Sequence, residues 1–224
     1  RVNIVTYPDR ELLVMDVAEV LGDALVAALH QRDRVTFAVP GGTSPGPVFA
    51  ALSQVSLPWD RVDVILTDER WVPETSERSN TALLRRTLLT GPAAAATLIP
   101  LRAETETPEA SLDALTSRVI KALPVDVMLI GMGADMHTAS LFPGADRLAD
   151  ALAPDAPPLM AMRAPGAPEP RITLTAPVLR EAMDSHLLIM GAEKKAAVDR
   201  AATLPPAEAP VAILLDRATI HYAE

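Results

Sequence analysis

The chain has 224 residues, of which 49% are hydrophobic and 22% are charged, and its formal net charge is −9 at pH 7. This composition is typical of a globular protein, and the negative charge disfavours nucleic acids and anionic membranes as partners. Cysteine is absent, which excludes disulfides, thiolate catalysis and cysteine zinc sites and is consistent with a reducing cytoplasm. No apolar run approaches the roughly 18 residues of a membrane helix, and we expect no secretory leader.

Short apolar runs alternate along the chain with segments of helical spacing. The runs rich in Val, Ile and Leu predict strands at 2–7, 34–39, 62–68, 125–132, 186–192 and 211–216. Helical spacing predicts helices at 10–31, 80–89, 108–123 and 193–203. We therefore expect one α/β domain over residues 1–224, with a doubly wound, mostly parallel, Rossmann-like sheet and helices on both faces. A proline-rich stretch at 153–170 is interpreted as a surface excursion, because strand and helix patterns resume after it.

In such a sheet, ligands bind beyond the carboxyl ends of the strands, so the segments that follow strands are the candidates for a site. The segment "PGGTSPG" (40–46) follows the second predicted strand and precedes a helix, where free backbone N–H groups favour an anion. The alternative is a tight turn with Thr43 or Ser44 as a helix N-cap. "GTSPG" also fits the G-x-S-x-G nucleophile motif. However, Pro45 lacks the N–H that its oxyanion hole uses, so Ser44 is a poor nucleophile candidate.

Two further strand ends carry polar side chains. Asp68, Glu69 and Arg70 follow the strand "VDVIL", where they are either solvated or face the expected crevice. The segment "GMGADMHTASLFPG" (131–144) sets Asp135 and His137 two residues apart in a glycine-rich loop. Histidine titrates near neutral pH, so His137 beside a carboxylate is a candidate general base; a purely structural histidine is the alternative.

Two later segments supply positive charge to this acidic chain. "RITLT" begins with Arg171, and "GAEKK" places Lys194 and Lys195 where a helix begins after a strand. Arginine binds phosphate through paired N–H groups and lysine binds it as a point charge. The four histidines lack metal-ligand spacing, and no complete G-x-G-x-x-G fingerprint is present, so we expect neither a metal nor a nucleotide cofactor.

Taken in order, "PGGTSP", "TDERWVP" with "SERSN", "DVMLIGMGADMHTASLFPG", "PRITLT" and "GAEKK" resemble the 6-phosphogluconolactonases of the glucosamine-6-phosphate isomerase/6-phosphogluconolactonase family. The resemblance implies hydrolysis of 6-phospho-D-glucono-1,5-lactone to 6-phosphogluconate in the oxidative pentose phosphate pathway, without metal or organic cofactor. It also implies a cytoplasmic enzyme, a monomer or small homo-oligomer, whose partner is this small sugar-phosphate lactone.

Carried over residue by residue, the resemblance makes His137 the general base and Asp68 the acid close to the sugar ring. It places Arg70 near the substrate. The remaining matches fall at the phosphate end, at Gly42, Thr43, Arg171 and Lys194. Whether Lys194 or Lys195 contacts the phosphate stays open.

The sequence departs from the family pattern at one position and favours one branch of the family at another. Met136 stands where the family has Gly between the Asp and the His; we expect a negative φ there, and Met136→Gly to be neutral or slightly destabilising. Phe142 stands where the amino-sugar isomerases of the group carry Glu, which favours the lactonase. An amino-sugar-phosphate isomerase or deaminase is the main alternative. A non-catalytic sugar-phosphate sensor is another, but the sequence has no helix-turn-helix pair.

Overall fold

The computed structural model describes residues 2–224. Its strands are β1 (Asn3–Thr6), β2 (Val35–Val39), β3 (Val62–Leu66), β4 (Asp68–Arg70), β5 (Thr97–Ile99), β6 (Val127–Ile130), β7 (Leu159–Met162), β8 (Arg171–Leu174), β9 (Asp184–Met190) and β10 (Thr219–Ala223). Its helices are α1 (Arg10–Gln31), α2 (Gly46–Leu52), α3 (Asn80–Thr87), α4 (Pro108–Lys121), α5 (Leu148–Leu152), α6 (Ala176–Glu181) and α7 (Ala192–Ala201). None of the helices in residues 2–224 is both long enough and apolar enough to span a bilayer.

Helix α1 has the bounds that its spacing predicts. The Asp9 carboxylate caps its start by accepting a hydrogen bond from the backbone N–H of Leu12 at 2.9 Å. Its buried residues recur at helical spacing, at Leu13, Val17, Leu21 and Leu25, and pack into the core. The predicted helices at 80–89, 108–123 and 193–203 are present as α3, α4 and α7, each shorter at its carboxyl end by two residues.

Seven strands form one sheet, in the order β1-β10-β9-β6-β2-β3-β5, and every neighbouring pair is parallel. From β2 the chain adds β3 and β5 on one side, then returns to place β6 on the other side of β2 and adds β9 and β10 beyond it. The connections therefore leave β2 and β6 in opposite directions, and such a reversal opens a crevice at the carboxyl ends of the two strands. The predicted α/β fold with a parallel sheet is confirmed; that residues 1–224 form one independent domain stays a prediction.

A second, three-stranded antiparallel sheet, in the order β4-β8-β7, was not predicted. A single residue, Thr67, separates the end of β3 from the start of β4, so the run predicted as one strand at 62–68 is divided between two sheets. The interpretation of 153–170 as a surface excursion is wrong in part, because "LMAM" at 159–162 is the buried strand β7. Four apolar residues among prolines carry no period that identifies a strand.

The strand predicted at 211–216 is wrong. Residues 210–214 form a 3-10 helix that starts with Pro210, and the last strand is "TIHYA" at 219–223. A short apolar run is compatible with either a strand or a buried helical turn, whereas β10 carries His221 and Tyr222 and so lacks an apolar signature.

A chain of polar side chains crosses the sheet at β1, β10 and β9. Tyr7 donates its phenol hydrogen to Asp16 at 2.5 Å and lies 2.9 Å from Nδ1 of His221. Nε2 of His221 lies 2.9 Å from Nδ1 of His186, whose Nε2 is 3.0 Å from the carboxylate of Asp184. Burial, with the neighbouring His186, lowers the pKa of His221 to about 4.

We predict that this buried histidine makes the fold acid-sensitive. The folded-state pKa of His221 lies below the value of about 6.5 expected in the unfolded chain, so the unfolded state binds more protons between these values. The stability should be unaffected by this group above pH 6.5 and should fall by about 1–3 kcal/mol as the pH drops toward 4. Urea unfolding of wild type and His221→Gln across this range isolates the contribution from those of Asp16, Asp184 and His186. Equal pH slopes in the two proteins would contradict it.

Candidate active site

A cavity of about 300 Å³ opens at the carboxyl edge of the parallel sheet, between the segments that follow β2 and β6. Both strands are buried along their whole length, and each is followed at this edge by a loop that contains glycine. All seven site residues predicted from the sequence line the cavity: Gly42, Thr43, Asp68, Arg70, His137, Arg171 and Lys194.

His137 is paired with a carboxylate. The Asp135 side chain lies 2.5 Å from Nδ1 of His137 and accepts a second hydrogen bond from the His137 backbone N–H at 3.0 Å. A carboxylate only accepts, so Nδ1 carries the hydrogen and Nε2 keeps its lone pair. The imidazole side chain is 30% exposed, which leaves it open to water in the cavity. This arrangement has the geometry of an oriented general base.

The turn that carries His137 departs from expectation at Met136. Its φ is +71°, so the prediction of a negative φ is wrong. The backbone fixes this conformation, because Met136 donates its N–H to Gly133 and its carbonyl accepts from Val211 at 3.0 Å. Gly133 is required for a different reason, since a Cβ atom there would overlap the His137 ring. A side chain in the left-handed region stores strain of about 1–2 kcal/mol.

Asp68 is held by hydrogen bonds at the edge of the cavity and is 8% exposed. Ser140 donates its hydroxyl to the Asp68 carboxylate at 2.6 Å, and the Ser140 backbone N–H donates to Thr173 at 3.1 Å. Asn80 donates its side-chain amide to the Asp68 backbone carbonyl at 3.2 Å. Strand β4 thus presents a carboxylate that Ser140 orients, while Asn80 holds the backbone of the same residue.

The three charged residues at 68–70 have separate functions. Glu69 is fully buried at the start of α3, where it accepts hydrogen bonds from the backbone N–H groups of Asn80 and Thr81. Burial raises the pKa of Glu69, and these hydrogen bonds oppose that rise. Its position is structural, since a carboxylate at a helix start satisfies free N–H groups. Arg70 instead lines the cavity and donates one N–H to the carbonyl of Arg78 at 2.8 Å.

Arg171 is a buried cation, 6% exposed, rather than a solvated one. The antiparallel pairing of β4 with β8 places it opposite Arg70, and burial lowers the pKa of its guanidinium. Glu169 offsets the clustered charge, lying 3.1 Å from Arg171 and 2.7 Å from Arg78, and the hydrogen bonds from Arg78 lower the pKa of Glu169. The Nε atoms of Arg70 and Arg171 are buried without a hydrogen-bond partner. Both arginines line the cavity, where guanidinium N–H groups suit an oxyanion.

The remaining cation at the cavity is Lys194, which forms no ion pair with any residue of 2–224. Its neighbour Lys195 does not line the cavity and pairs with Asp199 at 2.9 Å on the surface of α7. Position therefore favours Lys194 over Lys195 at the site.

The loop at 40–46 does not form the N-cap that was the alternative to an anion site. Neither Thr43 nor Ser44 caps α2, because Pro45 occupies the cap position and makes no side-chain hydrogen bond. Gly42 has a φ of +81°, which favours glycine, and no atom fills the space beside it. Gly42 and Thr43 are thus the exposed residues of this loop, and both line the cavity.

Sequence reasoning missed the residues that support the site. Ser79 caps α3, and the neighbouring Asn80 faces the cavity. Ser140 and Thr173 lie in segments that were singled out, yet their contact joins a loop and a strand that are distant in sequence. The sequence around Glu169 gave no indication that this residue pairs with the arginines of the site. Within residues 2–224 no group of three or more His, Asp or Glu side chains is arranged for a metal ion.

We predict that the strain at Met136 is measurable as stability. Met136→Gly should be more stable than Met136→Ala by about 0.5–1 kcal/mol, because relief of the left-handed strain exceeds the extra unfolded-state entropy of glycine. Comparison with Ala removes the contribution of methionine packing. Ala134→Gly, in the same loop but without a positive φ, is the control and should lose stability. Equal stabilities of the two Met136 variants in urea unfolding would show that the turn is unstrained.

Comparisons with known proteins show the family to which this chain belongs. A sequence model of the family described as glucosamine-6-phosphate isomerases/6-phosphogluconolactonase matches residues 8–222. A 6-phosphogluconolactonase of Mesorhizobium japonicum is 41% identical over 95% of this chain and 90% of its own length. Another, of Rhizobium meliloti, is 39% identical over 96% of this chain and 94% of its own length. The crystal structure of a 6-phosphogluconolactonase from Shewanella baltica, 27% identical, has a TM-score of 0.96 and covers 100% of this chain and 98% of that one. The chain therefore belongs to the glucosamine-6-phosphate isomerase/6-phosphogluconolactonase family.

Proposed function

We propose that this chain hydrolyses 6-phospho-D-glucono-1,5-lactone to 6-phospho-D-gluconate in the oxidative pentose phosphate pathway, with His137 as the general base. The observation that carries the proposal is the His137–Asp135 pair in the same cavity as three cationic side chains. The activity of the relatives supports the substrate. The chain is an enzyme of carbohydrate metabolism, and we place it in the cytoplasm.

In the proposed reaction, Nε2 of His137 takes a proton from water while the water oxygen bonds to the lactone carbonyl carbon. The carbonyl electron pair moves to its oxygen and forms a tetrahedral oxyanion, which a cation or backbone N–H groups stabilise. When the carbonyl re-forms, the bond to the ring oxygen breaks and the imidazolium returns its proton to that oxygen. Asp135 stabilises the imidazolium through Nδ1 and holds the ring in one tautomer. A lactone is an activated ester, so water and one base suffice, and no metal or organic cofactor is invoked.

In this proposal, Asp68 and the cationic side chains bind different parts of the substrate. Asp68, oriented by Ser140, accepts hydrogen bonds from sugar hydroxyl groups close to the ring. Arg70 contacts the substrate through the N–H groups that face the cavity. The phosphate is bound by Lys194, Arg171 and the backbone N–H groups of Gly42 and Thr43.

The isomerase or deaminase alternative is disfavoured by the surroundings of His137. Ring opening of an amino sugar in that branch relies on a further carboxylate five residues after the histidine, as noted above. Here Phe142 occupies that position and stacks on the imidazole, with ring centroids 4.3 Å apart. We therefore expect no ammonia release from glucosamine 6-phosphate. A monomer or small homo-oligomer stays the expected assembly.

We predict that freshly generated 6-phosphogluconolactone is turned over well above its spontaneous rate, as measured by coupled reduction of a nicotinamide cofactor with excess 6-phosphogluconate dehydrogenase. His137→Ala should lower kcat by about 10²- to 10⁴-fold, the usual value of general-base catalysis, with a smaller effect on KM. His137→Asn should not restore it, since an amide cannot accept the proton. Near-normal turnover in either variant would remove His137 from the mechanism, whereas an inactive wild type would reject the substrate.

We predict that the cations act on the phosphate end of the substrate. Lys194→Ala and Arg171→Ala should each raise KM by roughly one to two orders of magnitude, the loss of one charge-assisted contact of about 1.5–3 kcal/mol. Arg171→Lys should also be impaired, because a point charge replaces a planar fork.

Lys195→Ala is the matched control for Lys194 and should leave KM unchanged, because Lys195 lies outside the cavity. Unphosphorylated gluconolactone should be a poor substrate that barely distinguishes wild type from the Lys194 and Arg171 variants. If Lys194→Ala or Arg171→Ala slows both lactones by the same factor, that cation acts on the ring or the fold instead of the phosphate.

A further inference from the structure

One aromatic ring contacts both the proposed base and the buried arginine. The Phe142 ring stacks on the imidazole of His137, with centroids 4.3 Å apart and an interplanar angle of 26°. The guanidinium carbon of Arg171 lies over the same ring, 5.3 Å from its centroid. Phe142 is therefore the shared neighbour of two functional groups that lie on different elements of the chain.

The backbone around Phe142 is fixed independently of these contacts. Thr138 and Leu141 form an isolated antiparallel bridge, with a hydrogen bond of 2.9 Å from the Leu141 N–H to the Thr138 carbonyl. Leu141 is fully buried, and the Phe142 carbonyl accepts a hydrogen bond from Ala145 at 3.0 Å. The ring is thus carried by a hydrogen-bonded turn that places it beside the imidazole.

A ring in this position has an effect that an aliphatic side chain lacks. An aromatic face carries negative charge density, so it attracts a cation much more strongly than a neutral group. His137 is neutral before it takes a proton from water and cationic afterwards. The attraction therefore develops during the reaction, and only an interaction that strengthens toward the transition state raises kcat.

We propose that Phe142 is a positioning residue for catalysis: its ring holds the His137 imidazole against Asp135 and stabilises the imidazolium that forms in the transition state. This inference rests on the proposed function of His137 as the base. The contact with Arg171 adds a second consequence. The same ring also restrains the guanidinium group that is proposed to bind the phosphate.

The test compares side chains that fill similar space with and without an aromatic face. Phe142→Tyr keeps the ring, whereas Phe142→Leu and Phe142→Met keep apolar volume only. We expect Phe142→Tyr to retain kcat within about threefold, and the Leu and Met variants to lose about tenfold in kcat with a smaller rise in KM. The Met variant serves if the Leu variant does not fold, and urea unfolding of each protein separates lost stability from lost turnover.

Phe37→Leu is the matched control, because Phe37 is buried in β2 and does not line the cavity. It should lose stability without losing kcat. A proton NMR measurement gives a readout that is independent of activity: the His137 ring protons should move downfield in Phe142→Met, since the ring current of the stacked phenyl group is lost, and should stay in place in Phe37→Leu.

The outcomes distinguish this inference from the proposed function. If His137→Ala is inactive but folded Phe142→Met has wild-type kcat, the positioning role is wrong and the base assignment stands. The role is also wrong if Phe142→Tyr loses as much kcat as the Met variant, or if the Met variant changes KM alone. If His137→Ala retains normal turnover, the proposed base itself fails.

Discussion

Strands β2 and β6 lie side by side where the connections of the sheet reverse direction, and the site depends on that pairing. Because the chain leaves the two strands toward opposite sides, no helix covers the gap between their carboxyl ends. The glycine-rich loop at 40–46 enters this gap from β2, and the segment 131–144 enters it from β6. The proposed phosphate-binding loop and the candidate base, distant in sequence, thus face one cavity.

The second sheet supplies the crevice with positive charge. The chain as a whole has a net charge of −9, so a phosphate ester gains nothing from long-range attraction, and salt screens such fields beyond about 8 Å. Antiparallel pairing of β4 with β8 sets Arg70 opposite Arg171 at the cavity, and Glu169 compensates the clustered charge. Burial removes water from each guanidinium group. A bound anion replaces the lost hydrogen bonds to water with direct ones. The cavity is therefore locally positive although the chain as a whole is negatively charged.

The sequence was sufficient for the features that local chemistry determines. Helix α1 has its predicted bounds because an Asp cap and an apolar stripe mark it, and the strand ends carry the site residues because parallel sheets bind ligands there. The sequence was insufficient for the features that contacts between distant parts of the chain determine. The strands β7 and β8 gain their identity from each other and from β4, and their residues show no period of their own. The left-handed Met136 follows from hydrogen bonds to Gly133 and Val211, which no local preference reveals.

The central claim is that one cavity holds the phosphate at Lys194 and the 40–46 loop while it presents the lactone carbonyl to His137. A crystal structure of the protein with 6-phospho-D-gluconate bound tests it most directly, since the product keeps both ends of the substrate. The account predicts the phosphate on Lys194, Arg171 and the backbone N–H groups of Gly42 and Thr43. It also predicts a carboxylate oxygen about 3 Å from Nε2 of His137. A product bound in the reverse direction, with its phosphate against His137 and its carboxylate at Lys194, would contradict it.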